Sequence, residues 1–531
     1  MLVRRLKWFR IAVALLVFIP LTAALVDFRG SVPPQVGRWL AGIQFIPSSI
    51  SLVTGAGLSL TAIIILLVTL GAGRIYCSTL CPLGILQDIV IRVRGWFNKN
   101  SALTRYAPTQ TSLRQTFLWA TIGAVILGGG GFALTLLDPY SNFGRIAADI
   151  FRPFVAMLNN QLVSVAEALG WRGLYRVDVM WAVIGVLALP VFALVLIVTL
   201  SFWRGRLFCN TVCPVGTLLG MVSKRAAFQI NIDQSACRKC ARCVRVCKSQ
   251  CIDLRAGQID FSRCIACYDC MAVCEDSGIN YEFAWTQTLS RAPSTPAPEI
   301  ATSNKVTNRE RRTFLAKTLV GISGAVALSP NVFADEGDAE SEYQRSSTPI
   351  TPPGSRGVKE FLDRCTACHL CVSACPTSVL QPATLEYGLL GFLKPHLDFS
   401  RSFCNFECRR CSEVCPNGAI RLLDLATKQT IKIGEAEFIR ELCVVITNGT
   451  DCAACSEHCP TKAVFTKPHG ENLRLPEVNA ELCIGCGACE HSCPVKPKKA
   501  IVVTAWRKHG VAKKLIEPKA TLPKSSADFP F

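Results

Sequence analysis

The sequence predicts a multidomain fold: an α-helical membrane domain of four transmembrane helices plus a fifth, joined to small α+β domains rich in cysteine. Three observations predict it. Four apolar runs within the first 202 residues are each long enough to cross a bilayer core, which takes about 20 residues. Of the 29 cysteines among 531 residues, most fall into groups of four at recurring spacing. Half of all residues are hydrophobic and the mean hydropathy is positive, which an ordinary soluble enzyme does not show.

The membrane domain is expected over 1–230. Arg4, Arg5, Lys7 and Arg10 precede the first run, Ile11 to Phe28, and basic residues before a span stay in the cytoplasm. No small-residue cleavage site closes this run, which argues against a removed signal peptide. Further runs cover Leu52 to Ala72, Phe117 to Leu137 and Val177 to Phe202. Arg92, Arg94, Lys99 and Arg105 mark the loop 74–114 as cytoplasmic, and Arg204, Arg206, Lys224 and Arg225 do the same after the fourth run. The loop 138–176 is then periplasmic. Trp119, Tyr140 and Trp181 stand near the spans, where interfacial anchoring is the common use of such side chains.

This block contains an internal repeat. Gly73-Arg74-Ile75-Tyr76-Cys77-Ser78-Thr79-Leu80-Cys81-Pro82-Leu83-Gly84 returns as Gly205-Arg206-Leu207-Phe208-Cys209-Asn210-Thr211-Val212-Cys213-Pro214-Val215-Gly216. Duplication places both C-x3-C-P motifs at the cytoplasmic ends of spans two and four. Cys77, Cys81, Cys209 and Cys213 could therefore meet across a pseudo-twofold axis, as soft metal ligands or as redox dithiols. The plainer reading makes them small apolar packing residues beside helix-ending Pro and Gly.

A domain over 231–285 follows, with Cys237, Cys240, Cys243 and Cys247 paired with Cys264, Cys267, Cys270 and Cys274. In bacterial ferredoxins three thiolates two residues apart wrap one corner of a cubane, while the fourth ligates the neighbouring cluster, so motifs work in pairs. Lys248 and Glu275 stand where Pro is usual, and Cys251 is left over, expected as a packed free thiol. A Ser/Pro/Ala/Thr linker occupies 286–308. Within 309–334, Arg311-Arg312-Thr313-Phe314-Leu315 precedes a mildly apolar stretch, resembling a twin-arginine export signal or a fifth membrane helix. A second linker, 335–356, leads into the domain 357–531. There the motif is written four times: Cys365, Cys368, Cys371, Cys375; Cys404, Cys408, Cys411, Cys415; Cys443, Cys452, Cys455, Cys459; and Cys483, Cys486, Cys489, Cys493, each closed by Pro.

Six [4Fe–4S] clusters are thus expected, with these 24 cysteines as iron ligands. Competing readings fare worse. Cys365-Thr-Ala-Cys368-His369 spells a haem-attachment motif, but Cys371 and Cys375 continue it in ferredoxin register. Zinc sites use two cysteine pairs and leave a third, evenly spaced Cys unexplained, and a disulfide framework predicts no such triplets. All six histidines lie from His369 onward, so the spans cannot hold a bis-His haem. The formal charge of +19 would suggest nucleic acid. Six clusters at about −2 each cancel roughly 12 of those charges, and no aromatic-plus-basic motif is present. The basic tail carrying Lys496, Lys498, Lys499, Arg507, Lys508, Lys513 and Lys514 reads as a solvated surface.

Four spans with two C-x3-C-P motifs and a ferredoxin module resemble the NapH/MauN family, and the four-motif domain resembles NapG/MauM, joined here in one polypeptide. The resemblance implies a haem-free quinol dehydrogenase component, or otherwise an electron carrier, in a bacterial inner membrane. It implies quinol as substrate, the quinone pool as partner, and a periplasmic reductase or c-type cytochrome as acceptor. The ferredoxin domain 231–285 would face the cytoplasm and 357–531 the periplasm. The rival reading is a maturation or metal-handling protein whose C-x3-C-P thiols bind or reduce a metal for a partner enzyme. A purely structural anchor is a third.

Overall fold

In a computed structural model of the protein, residues 2–55, 60–97, 106, 108–126, 130–275, 278–285, 349–470 and 472–514 are described. The linker 286–308, the twin-arginine-like segment 309–334 and residues 335–348 lie outside them.

Two described helices are long and apolar enough to cross a membrane by length and composition, Arg5–Val26 and Ile184–Arg204. Each carries an internal proline, Pro20 and Pro190. The first expected run is the core of a longer helix, Leu2–Val26, and the fourth begins later than expected because Val177 to Val183 is not helical. The second expected span is divided. Leu52 to Thr54 close the helix Phe45–Thr54, which ends on Gly55 in the left-handed region at φ 68°, and Leu60–Ala72 follows. Thr111–Ile126 and Gly130–Leu137 together cover the third. The expected periplasmic loop is itself largely helical: Pro139–Arg145, a π-helical turn Ile146–Phe151 and Arg152–Ala168.

The chain divides into two compact units, and the division departs from the expected domains. The first unit combines the described residues of 1–340 with 359–396 and 410–422; the second holds 341–358, 397–409 and 423–531. Residues 359–396, expected with the rest of the C-terminal domain, instead pack on the helical block. His369 reaches Asp149, with Nδ1 2.9 Å from the carboxylate; the Arg145 guanidinium donates to the Ala367 carbonyl at 3.3 Å. The Ser51 hydroxyl donates to the Pro416 carbonyl at 3.0 Å.

The ferredoxin module of the first unit is closed by an antiparallel pair, Phe228–Ile232 with Ile279–Phe283, which brings its two ends together. Its core is built of Ile230, Ile252, Phe261, Tyr268 and Ile279 around five buried cysteines. The second unit pairs Ile431–Phe438 with Ile501–Val511, with a register shift between Ala505 and Gly510, and pairs Val464–His469 with Leu473–Val478. There too cysteines form the core: Cys443, Cys455, Cys459, Cys483, Cys489 and Cys493 are buried among Val445, Val464 and Ile501.

Candidate iron–sulfur centres

Where a motif keeps the C-x2-C-x2-C spacing, the backbone does the same thing each time. The residues on both sides of the middle cysteine take positive φ: Lys239 and Ala241 around Cys240, Ala266 and Tyr268 around Cys267, Ala367 and His369 around Cys368, Gly485 and Gly487 around Cys486. Six of these eight are not glycine, and an L-residue there costs roughly 1–2 kcal/mol. Successive left- and right-handed turns point backbone N–H groups into a concave nest suited to an anionic group. Backbone N–H groups of Ala367, Leu370, Gly485 and Ala488 accordingly donate to the thiols of Cys365, Cys368, Cys483 and Cys486.

The thiols gather across motifs as the ferredoxin pattern requires. Cys365, Cys368 and Cys371 neighbour Cys415 from the next motif. Cys443, Cys452, Cys455 and Cys493 line one small cavity, while Cys483, Cys486 and Cys489 neighbour Cys459. In the first module Cys247 joins Cys264, Cys267 and Cys270 around another, and Cys243 stands by Cys237 and Cys240. The last cysteine of the second motif thus joins the first motif's set, the third and fourth motifs exchange their last cysteines, and Cys404 of the second motif stands beside Cys486 of the fourth. Cys375 and Cys411 belong to the first unit, Cys404 and Cys408 to the second.

The cysteines are placed as thiols and thiol clusters rather than as disulfide pairs. Burial pushes Cys267, Cys368, Cys455 and Cys486 up to about 12. Thiols packed so closely in an apolar core become thiolates when a cation replaces their protons. Among the described residues no three of His, Cys, Asp or Glu converge as a single metal ion requires. A cubane asks for something different, four thiolates spread around a space, each on its own iron, and these sets provide it. Both ring nitrogens of His369 are engaged, Nδ1 with Asp149 and Nε2 with the Leu393 carbonyl, each at 2.9 Å, so neither is open to haem iron.

Cys251 is packed in the module's core, 2% exposed, with its Sγ 3.6 Å from Cys247 Sγ. Sequence reasoning missed one thing here. Tyr140 is no interfacial anchor, being 1% exposed, whereas Trp119 and Trp181 are 46% and 41% exposed.

The C-x3-C-P repeat is built with exchanged arginines. Arg206 of the second copy donates to the Cys77 carbonyl at 2.6 Å, and Arg74 of the first donates to the Cys209 carbonyl at 3.4 Å. Both guanidinium groups are fully buried. Gly84 and Gly216 make room for them: a Cβ there would fall 2.4 Å from the Cys77 carbonyl oxygen and 2.2 Å from that of Cys209. The four thiols are buried neighbours, and burial with mutual repulsion holds Cys81 and Cys213 well above the ordinary thiol range. Gly73 and Gly205, equivalent in the two copies, are where the ferredoxin module closes in. Phe261 Cε1 and the Lys248 carbonyl oxygen would lie 2.8 and 2.4 Å from their added Cβ atoms.

Cysteine nests of this spacing, with thiols exchanged between neighbouring motifs, define an iron–sulfur electron-transfer protein of the ferredoxin type. Comparison with known proteins agrees. The family "4Fe-4S binding domain" matches 53–101 and 185–232, the two copies of the repeat. Families described as "4Fe-4S dicluster domain" match 260–379, 364–420 and 448–497. The ferredoxin-type protein NapF of Escherichia coli is 30% identical over 154 residues, 29% of this chain and 85% of that protein. The methylamine utilization ferredoxin-type protein MauM of Paracoccus denitrificans is 30% identical over 27% of this chain and 66% of its own length. The E. coli ferredoxin-type protein NapG is 28% identical over 34% of this chain and 80% of its own length. The chain belongs to the NapF-related family of ferredoxin-type proteins. No solved structure matches it.

Proposed function

We propose that the chain is a membrane-bound, haem-free quinol dehydrogenase component that passes electrons from the quinone pool to a periplasmic reductase or c-type cytochrome. Six [4Fe–4S] clusters, held by the 24 motif cysteines, supply one-electron acceptors. Cys237, Cys240, Cys243 and Cys274 complete the set that spacing assigns beside Cys247 with Cys264, Cys267 and Cys270.

One observation carries this reading: cysteine nests lie at both ends of the N-terminal helix Leu2–Val26. Near its start Lys7 pairs with Asp269 of the first module at 2.8 Å. Near its end Ala24 lines a cavity with Leu370 and Cys375. The 17 residues between Lys7 and Ala24 rise about 26 Å at 1.5 Å each, close to the thickness of a hydrocarbon core of about 30 Å. Exposed Trp8 and Trp203 lie toward one end, and exposed Trp39, Trp171 and Tyr175 toward the other, as two interfacial belts would. In this reading all four apolar regions cross the inner membrane, the module 231–285 is cytoplasmic and the C-terminal motifs are periplasmic. Quinol then joins the two sides, because among the described residues no cysteine lies along the two long helices.

Iron analysis of the anaerobically purified chain tests the cofactor count: about 24 iron atoms are expected, four for each of six clusters. A value near 8 would leave the C-terminal motifs empty and end the proposal. A second reading, a maturation protein working by thiol chemistry at the C-x3-C-P pair, is favoured by Cys77, Cys81, Cys209 and Cys213 being buried neighbours. Replacing Cys81 and Cys213 by Ser separates the two: maturation requires that a partner enzyme lose its cofactor while cluster reduction persists.

A further inference from the structure

The first unit holds a cavity of about 1,260 Å³, counting its open mouth, several times larger than those inside the cysteine nests. Its position is set by the helical block. Ala24 and Asp27 at the end of the N-terminal helix form one wall, Val177 and Met180 just before Ile184–Arg204 form another, and Ser373 and Cys375 of the first C-terminal motif form the floor. The mouth therefore lies where both candidate spans emerge, and the floor is a cluster-ligand loop.

We infer that this cavity binds the head group of a membrane quinol, an inference that rests on the quinol-oxidising reading above. Three features favour a quinol over other occupants. The cavity joins the level of the helix ends, which an amphiphile reaches from the bilayer, to Cys375, so a seated ring would touch a ligand cysteine. Its walls alternate apolar surface from Phe28, Val32 and Leu370 with the polar groups of Arg152, Asp178 and Ser373, as a ring bearing two hydroxyls requires. Ser373, 3% exposed, carries a buried hydroxyl with no hydrogen-bond partner in the residue that lines the floor, so the floor keeps one polar group in reserve beside Cys375. Oxidation of the quinol breaks two O–H bonds and sends two electrons to the one-electron acceptors and two protons to water, and the exposed Asp178 at the mouth is placed to relay them.

Asp27 and Arg29 are construction rather than ligands. Asp27 accepts from the backbone N–H groups of Arg29 and Val32 at 2.9 and 2.7 Å, and Arg29 donates to Asn159 at 2.7 Å. They hold the turn that shapes the wall.

The test uses the full chain in detergent with its clusters loaded, a photoreactive azido-ubiquinone as probe and decylubiquinone as competitor. Labelling is expected in 24–37, 177–180 or 370–378, and excess decylubiquinone should abolish it. Met180→Trp, which narrows the mouth at a residue 43% exposed, should weaken decylubiquinone binding at least tenfold without changing iron content or the electron paramagnetic spectrum. Competable labelling elsewhere, or unchanged binding in Met180→Trp with intact iron, overturns the cavity and leaves quinol oxidation standing. Competition by anionic lipid but not by decylubiquinone makes the cavity a lipid site and equally overturns it. Absence of any competable labelling, together with no cluster reduction by quinol, removes both.

Discussion

Asp88 takes cations from three parts of the chain. Arg206 of the second repeat lies 2.8 Å away, Lys248 of the ferredoxin module 3.3 Å and Arg10 of the N-terminal helix 3.4 Å. Burial alone would raise its carboxyl, but these three cations together bring it down to about 2. Lys248 also reaches Asp269 at 3.2 Å, which explains why Lys stands where Pro is usual: the residue after Cys247 docks the module rather than ending a turn. Asp88→Asn strands the fully buried Arg206, and removing one partner of a buried pair costs about 3–5 kcal/mol. Thermal unfolding in detergent should show that loss, and an unchanged midpoint would contradict it. In the second unit, burial pushes His509 down to about 4 while its Nε2 lies 2.8 Å from the Thr351 hydroxyl. A histidine with a depressed folded-state pKa binds its proton more readily when unfolded. Stability is therefore lost as pH falls from about 6.5 toward 4, on the order of 2–3 kcal/mol. The wild-type minus His509→Gln difference in unfolding midpoint should fade over that window, and a difference constant across it would count against the account.

At the scale of elements, the repeat and the nests carry the architecture. Gly84→Ala or Gly216→Ala forces a methyl against a carbonyl and should destabilise by about 3 kcal/mol or more. Gly95→Ala is the control: it lies in the same helix Pro82–Phe97 with open space around its Cβ, and should stabilise by about 0.5–1 kcal/mol. Equal effects at Gly84 and Gly95 would show that the exchanged-arginine packing is not rigid. The nests bind folding to the cofactor, because thiols and cavities take the place of an apolar core. Iron removal with a chelator under reducing conditions should abolish protease resistance of 423–514; a resistant apo-fragment would contradict it. The cysteine sets were legible in the sequence because ligand spacing is a local constraint. Exchange of Arg74 and Arg206 between the copies was not, since both arginines also fit the pattern of basic residues beside a span. The second span was read as continuous because hydropathy averages over the break at Gly55.

The whole molecule is organised by where the first C-terminal motif sits. Sequence placed 357–531 in one domain, since its four motifs are alike. The structure assigns 359–396 and 410–422 to the helical block, through contacts such as His369 with Asp149 that join residues 220 apart in the chain and leave no local signal. If those contacts hold the motif at the outer face, protease added to intact spheroplasts should remove an epitope placed after Phe531. Protection until lysis would move every cluster to the cytoplasm. The most direct test of quinol oxidation is anaerobic titration of the purified, iron-loaded chain with a menaquinol analogue, followed by electron paramagnetic resonance. The account predicts that signals of reduced [4Fe–4S] clusters grow with each addition, about two electrons gained per quinol consumed. Clusters that dithionite reduces but the quinol analogue leaves unchanged would contradict it.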